Sequence, residues 1–400
     1  MTRERTPGKP RLVVLASTYP RWDGDHEPGF VHALARSLTD RFDVVAIVPH
    51  APGALRREVL DGVTVVRYRY ALEPLETLVN DGGIAANLKR SRWKWLLLPA
   101  FIVMQWWEAR RWLTEDTVVH AHWLIPQGLV ACALRRPYVL TAHGADVFSL
   151  RGKLLSCAKR IALRSASAWT VVSRAMVCPL VELGAATPPD VRPMGVDLAS
   201  VFTPDPDVSR DTAHLLFVGR LVEKKGVDVL LHAFLRIRAV MPATRLTIVG
   251  HGPLRHELET LAASLCIADG IVFTGPLDQS SLVPMYRKAT IFVAPFRETS
   301  SGDQEGLGLV MVEALGCGCP VIASDLPATQ DVLSGMPGCV AVPPDDPDAL
   351  ASAIVSVLQA PREAADAAAT GRSSLCERFD WVSVSDGYAD LFLRTRKMFR

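Results

Sequence analysis

The sequence predicts an α/β protein built as two doubly wound domains in series, and three observations carry that expectation. Short β-branched runs alternate with longer helical stretches along the 400 residues, the pattern of parallel strands joined by crossover helices. The alternation breaks once, in the Pro/Asp-rich stretch 202–211, and then restarts. Apolar residues at 49% and charged residues at 22% describe a chain with enough apolar surface for two cores, and exclude disordered, collagen-like and coiled-coil classes.

In the first half the strand-like runs are 12–17, 44–48, 63–68, 118–122, 138–141 and 170–172. After the 202–211 stretch, with its low core-forming potential, come 215–218, 246–249, 271–273, 291–294, 321–323 and 339–342. Helical stretches such as 227–240 and 253–265 fit between them, and 347–395 reads as mostly helical. We therefore expect domains over 1–200 and 201–380, a linker with a hinge near 198–212, and a final helix over 381–400 that crosses back to the first domain. In such sheets ligands sit off the carboxyl ends of the strands, so the residues just after each strand are the candidates for binding.

Net charge is only +2, but residues 1–200 hold 26 basic against 18 acidic side chains, and residues 201–400 hold 18 against 24. That balance gives no case for nucleic acid as a partner. The eight cysteines are scattered without a Cys-x-x-Cys pair, which reads as reduced thiols in a reducing compartment. The apolar run at the N-terminus is too short for a secretory signal, and no segment reaches the ~20 apolar residues of a spanning helix. The expected location is cytoplasmic, with peripheral attachment to the inner face of a membrane as an extension of that reading.

Strand 215–218 runs into Gly219-Arg220-Leu-Val-Glu-Lys-Lys225-Gly226 and then a helix. Cations between glycines ahead of a helix suit a phosphate, and a solvated basic turn fits the stretch equally well. Strand 246–249 leads into Gly250-His-Gly252-Pro253 with Arg255 where a third glycine would stand; a tight turn with Pro253 at the first helical position is the better reading. After strand 291–294 a polar loop carries Glu305, Gly306, Leu307, Gly308 and Leu309 into an apolar helix containing Glu313. Glu305 falls at the loop–helix junction. Glu313 sits between Val312 and Ala314, where a carboxylate needs hydrogen-bond donors, and ribose or sugar hydroxyls supply them.

Here the sequence resembles a known family. Glu305 and Glu313 form a Glu-x7-Glu element. Upstream, in order, stand Val119-His120-Ala-His122-Trp123, Pro126-Gln-Gly128, Thr141-Ala-His143-Gly144-Ala-Asp146, Gly195-Val-Asp197, Gly219-Arg220…Lys225-Gly226, Gly250-His-Gly-Pro253 and Val272-Phe-Thr-Gly275. This order is similar to that of the retaining GT-B glycosyltransferases of family four, the group 1 glycosyltransferases. The resemblance implies a GT-B fold, two Rossmann-like domains facing a cleft, and transfer of a hexose from a nucleotide-diphosphate sugar of UDP or GDP type. The acceptor would be a hydroxyl of a glycan or lipid-linked molecule in polysaccharide, lipopolysaccharide or glycolipid assembly. It implies that Arg220 and Lys225 bind the donor diphosphate, that Glu313 holds the ribose and Glu305 the sugar, and that amides over Gly306–Leu309 assist. His143 would face the donor sugar. Gly29, the one candidate glycine of the loop after the first strand, and His122 would lie on the acceptor side. No cofactor is implied, and Arg220 with Lys225 would neutralise the diphosphate without a metal.

Single motifs also admit other readings. Asp23-Gly-Asp25 matches a metal-binding Asp-x-Asp superficially, and a turn fits it better. His120 and His122 share one strand face and lack a third ligand nearby. A sugar-nucleotide epimerase or hydrolase would share the fold, and a nicotinamide oxidoreductase lacks the full glycine fingerprint. Finally, five of the nine tryptophans fall in residues 93–112, flanked by Lys89, Arg90, Arg92, Lys94, Arg110 and Arg111. Segment 89–112 fits a contact with an anionic membrane surface. It also fits a core helix with basic ends.

Overall fold

A computed structural model of the chain describes residues 8–22, 25, 29–79, 83–148, 152–185 and 187–398. They form two units, 1–195 with 384–400, and 196–383. The divisions fall within a few residues of the sequence expectation at 200 and 380.

The first unit holds strands β1 (Arg11–Leu15), β2 (Asp43–Pro49), β3 (Arg57–Leu60), β4 (Val63–Tyr68), β5 (Val118–His122), β6 (Tyr138–Ala142), β7 (Ala168–Val171) and β8 (Asp190–Val191). Their order across the sheet is β3-β4-β2-β1-β5-β6-β7-β8, parallel except for β3. The central strands β1, β2, β5 and β6 are buried at every position, which is why they read as unbroken apolar runs. Edge strand β3 is missing from the sequence reading because its Arg-Glu-Val-Leu is half charged. Its turn was legible: Asp61 and Gly62 both take positive φ, +46° and +80°, as a two-residue Asp-Gly hairpin requires.

The second unit holds β9 (His214–Val218), β10 (Arg245–Val249), β11 (Ile271–Gly275), β12 (Ile291–Ala294), β13 (Val321–Ser324) and β14 (Cys339–Val342). The order is β11-β10-β9-β12-β13-β14, and every pairing is parallel. The chain reverses direction across each sheet at its centre, between β1 and β5 and between β9 and β12. At those switch points the loops splay apart and leave a crevice.

The expected linker is not a free tether. Residues 198–212 pack into the second unit: Leu198 and Phe202 are buried. The Arg210 guanidinium donates to the carbonyls of Tyr286, Arg287, Ala289 and Cys317 at 2.8–3.1 Å. Proline and aspartate gave the stretch a linker composition, but its backbone finds partners in the fold. Helix Trp381–Lys397 belongs from Val384 onward to the first unit. There Phe392 stacks edge-on against Phe42, with ring centres 5.9 Å apart.

Candidate active site

The loop after β9 is held by backbone. Gly219 N–H donates to the Val249 carbonyl (3.0 Å) and Leu221 N–H to that of His251 (2.9 Å). Gly226 takes φ +61°, and a Cβ there would stand 1.8 Å from the carbonyl oxygen of Pro295, just past β12. Only glycine lets the two switch-point loops meet this closely. Gly250 plays a related part, since a Cβ on it would fall 1.9 Å from the Gly219 carbonyl. Its neighbour Pro253 is not the first helical residue as expected. The helix begins later, at Arg255–Ser264, because Gly250 and Gly252 first carry the chain across the β9 loop.

On this frame the Lys225 ammonium lies 2.7 Å from Glu305 Oε2 and 4.1 Å above the centre of the Phe296 ring. Lys224 reaches Asp303 (3.3 Å) and the Gln304 carbonyl (3.1 Å). Burial pushes the Glu305 carboxyl up, but Lys225, Lys224 and the Gly306 N–H outweigh it, and the net shift is downward. Glu305 is therefore a firmly held carboxylate. Arg220, on the same loop, is exposed, and its guanidinium has no hydrogen-bond or ion-pair partner among the described residues.

Gly308, at φ +82°, turns the chain into helix Leu309–Gly316, whose N-terminus carries no side-chain cap. Its first amides point at the loop side with the positive end of the helix dipole. One turn on, Glu313 Oε2 accepts a 2.8 Å hydrogen bond from the buried Tyr286 hydroxyl. Burial raises the Glu313 carboxyl to about 7, against the opposing pull of Tyr286 and of Lys225. Lys225 thus acts on both glutamates. Tyr286 escaped the sequence reading because nothing local marks a tyrosine 27 residues upstream as the partner.

In the first unit His143, just after β6, has its Nε2 2.9 Å from Nδ1 of His122, and their rings stack at 5.1 Å. His120 lies against His122 with ring centres 4.0 Å apart, and its Nε2 bonds the Thr141 hydroxyl at 2.8 Å. Burial lowers His120 and His143 to about 3 and His122 well below its ordinary value, with the neighbouring imidazoles adding to the effect at His120 and His122. All three are neutral rings. Asp146 ties the arrangement together: Oδ1 accepts from the N–H groups of His143 and Gly144 (3.1 Å each), and Oδ2 accepts from that of Leu124 (2.8 Å). The sequence signal for this role is the spacing of three from His143, where a carboxylate closes a backbone turn. Phe30 and Trp123 wall the other side of the His143 ring, at 5.1 and 4.9 Å.

Gly29 is the residue before helix Phe30–Ser37, and its carbonyl accepts from Ala33 N–H at 2.8 Å. Asp23 and Gly24 lie outside the described residues, as do 26–28. Asp25 takes both the backbone and the guanidinium of Arg21 at 2.6–2.9 Å. Among the described residues no group of three or more His, Cys, Asp or Glu is placed to hold a metal ion.

Segment 89–112 is not the core helix that one reading allowed. Helix Leu98–Arg110 buries only Phe101, Gln105 and Ala109, with the Gln105 amide donating to the carbonyls of Ala16 and Ile47. Its opposite side leaves Val103, Met104 and Trp107 bare, as the preceding turn leaves Trp93, Trp95 and Leu96. Gln105 faces in beside Phe101 and Ala109, and further apolar side chains stand on the outer side. Among the described residues no helix is long and apolar enough to cross a membrane.

Two doubly wound units, each with a parallel sheet reversing at its centre, are the architecture of the GT-B class of glycosyltransferase. Family profiles agree: "Glycosyltransferase Family 4" matches residues 30–200 and "Glycosyl transferases group 1" matches residues 212–360. A glycogen synthase of Mycobacterium tuberculosis is 30% identical over 97% of this chain and 95% of its own length. The chain belongs to the group 1 glycosyltransferases. It is also 35% identical to a GDP-mannose-dependent α-(1-6)-phosphatidylinositol monomannoside mannosyltransferase of Mycolicibacterium smegmatis, over 51% of this chain and 56% of that protein. The chain thus spans little more than half the length of that relative. In fold it is similar to sucrose-phosphate synthase from Thermosynechococcus elongatus, with TM-score 0.79 at 22% identity, over 98% of this chain and the whole of that one.

Proposed function

We propose that the protein transfers a hexose, with retention of configuration, from a nucleotide-diphosphate sugar to a hydroxyl of a lipid-linked glycan acceptor. The observation that carries this reading is the Lys225–Glu305 contact at 2.7 Å with Glu313 in the same field. In this reading Lys225 and Arg220 receive the diphosphate, and the uncapped amides at 306–309 add donors. As the glycosyl bond breaks, negative charge builds on the leaving diphosphate, and cations held in advance stabilise that state more than the ground state. Glu313 accepts from the ribose hydroxyls and Glu305 from the sugar hydroxyls. The two cations take the part of a divalent ion, so turnover should survive EDTA.

The name of the mannosyltransferase relative supports a GDP-type donor and a glycolipid acceptor. The bare tryptophan face at 93–107 between basic flanks supports attachment to an anionic membrane surface. The full-length match to a glycogen synthase favours a second reading, a soluble glucan acceptor. A thermal-shift panel of GDP, UDP and ADP with their sugars, followed by turnover with lipid-linked and glucan acceptors, tests both. Indifference to every nucleotide would remove the donor assignment.

A further inference from the structure

A second feature of the first unit lies away from this chemistry. The C-terminal ends of helices Leu98–Arg110 and Gln127–Ala133 meet around a cavity of about 600 Å³, lined by Trp106, Arg110, Leu113, Leu134, Arg135 and Arg136. These helix ends lead into β5 and β6, so the cavity sits at the end of the sheet opposite His143. Trp106 Nε1 donates to the Ala133 carbonyl at 3.3 Å, tying the helices together, and the Arg110 guanidinium rests 5.4 Å from its ring centre. Arg135 is held at φ +53°, a left-handed conformation uncommon for a side chain of its size. Neither the Arg135 nor the Arg136 guanidinium has a hydrogen-bond or ion-pair partner among the described residues, and no carboxylate lines the space. Glu108, the acidic residue of the same helix, is engaged by Arg111 at 3.1 Å.

Three guanidinium groups gathered without a counter-charge repel one another, and a phosphate relieves that repulsion with the forked geometry arginine favours. The cavity adjoins the bare side of the same helix: the rings of Trp106 and Trp107 are 6.4 Å apart, and Trp107, Met104 and Val103 continue outward from it. We propose that this cavity seats the headgroup phosphate of an anionic phospholipid while Val103, Met104 and Trp107 enter the acyl boundary. The proposal rests on the membrane attachment given above and adds to it a defined headgroup site, remote from the sugar-transfer chemistry. The apolar side alone would give attachment indifferent to lipid charge. The arginines give it a preference.

The experiment is co-sedimentation of the full chain with vesicles of phosphatidylcholine alone and with phosphatidylglycerol added. The expected result is tighter binding to the anionic vesicles, reduced about thirtyfold in R135A/R136A, with the weak binding to neutral vesicles unchanged. R36A/K153A, which removes the same charge elsewhere on this unit, should keep the preference. Binding to neither vesicle would overturn both the attachment and the headgroup site. Equal anionic preference in wild type and R135A/R136A would overturn the site and leave attachment standing. An equal loss in R36A/K153A would mean diffuse charge, not a site. Stabilisation by inorganic phosphate through Arg135 and Arg136 without vesicle binding would mark a soluble phosphate-ester site and overturn the lipid assignment.

Discussion

Lys225 has two partners in this reading, Glu305 in the free protein and the diphosphate in the working one, and the two can be separated. In K225M the Glu305 carboxylate keeps its burial and loses its cation. The paired side chains are 11% and 17% exposed. Removing one partner of a fully buried pair costs about 3–5 kcal/mol, and the remaining solvent access brings this to about 2 kcal/mol. In a unit of this size that lowers the melting temperature by about 4–8 °C. Turnover should fall more, by about 10²–10³-fold, the usual loss when a preorganised charge-stabilising group is removed. The decisive variant is K225M/E305N or, closer in shape, K225M/E305Q, in which the orphaned charge is also gone. Stability should return to within about 2 °C of wild type while kcat/KM stays low. Thermal unfolding and steady-state kinetics on the same preparations read both. Recovery of turnover together with stability in the double variant would show that Lys225 serves only to neutralise Glu305, and would refute its role at the diphosphate.

Three further outcomes are expected. With its pKa raised from 4.5 to about 7, Glu313 keeps in the folded state a proton that the unfolded chain releases, so stability falls as pH rises through 4.5–7 and levels off above; in E313Q that component disappears from melting curves taken across the window. The buried histidines act with the opposite sign: with folded values lowered from 6.5, stability is lost as pH falls below about 6.5, at up to ~1.4 kcal/mol per unit for each ring, and H120N/H122N should flatten that acid limb in urea titrations. In G226A the new Cβ meets the Pro295 carbonyl, whereas in G335A, at a similar φ of +69°, it meets nothing within 4 Å; the first should cost about 3 kcal/mol or more and the second about 1 kcal/mol, and equal melting temperatures would remove the close approach from the argument.

What the sequence made legible follows from how local each signal is. The inner strands announce themselves because burial on both faces demands unbroken apolar runs, as in Leu12–Ala16 and Leu215–Val218. Arg220 and Lys225 stood out because glycines bracket them within one loop. Lys225 meeting Glu305, eighty positions later, is set by two strands being neighbours at a switch point, which no local pattern records. Segment 89–112 stayed open between two readings for a different reason: composition counts apolar residues without saying which side they occupy, and the one buried polar residue of helix Leu98–Arg110, Gln105, answers the carbonyls of Ala16 and Ile47. Arg135 and Arg136 look like any basic turn until the end of a second helix is placed beside them.

The pairing of Lys225 with Glu305 also bears on how such a site waits for its substrate. An ammonium held over Phe296 with no anion nearby would lose hydration without compensation and would be driven to swing outward. Glu305 removes that tendency and fixes the ammonium in place. Because Glu305 is itself tied by the Gly306 amide, the pair does not need to collapse when a diphosphate arrives: the ammonium has three donors, and one contact with Glu305 leaves others to turn toward phosphate. Arg220 needs no such partner, because it is exposed and water solvates it. The two cations therefore divide the work, one held rigidly by a carboxylate and one free to close on the ligand. An R220K variant should accordingly weaken donor binding more than it slows the bound complex, whereas K225M should do the reverse, and KM and kcat measured side by side for the two decide whether that division exists.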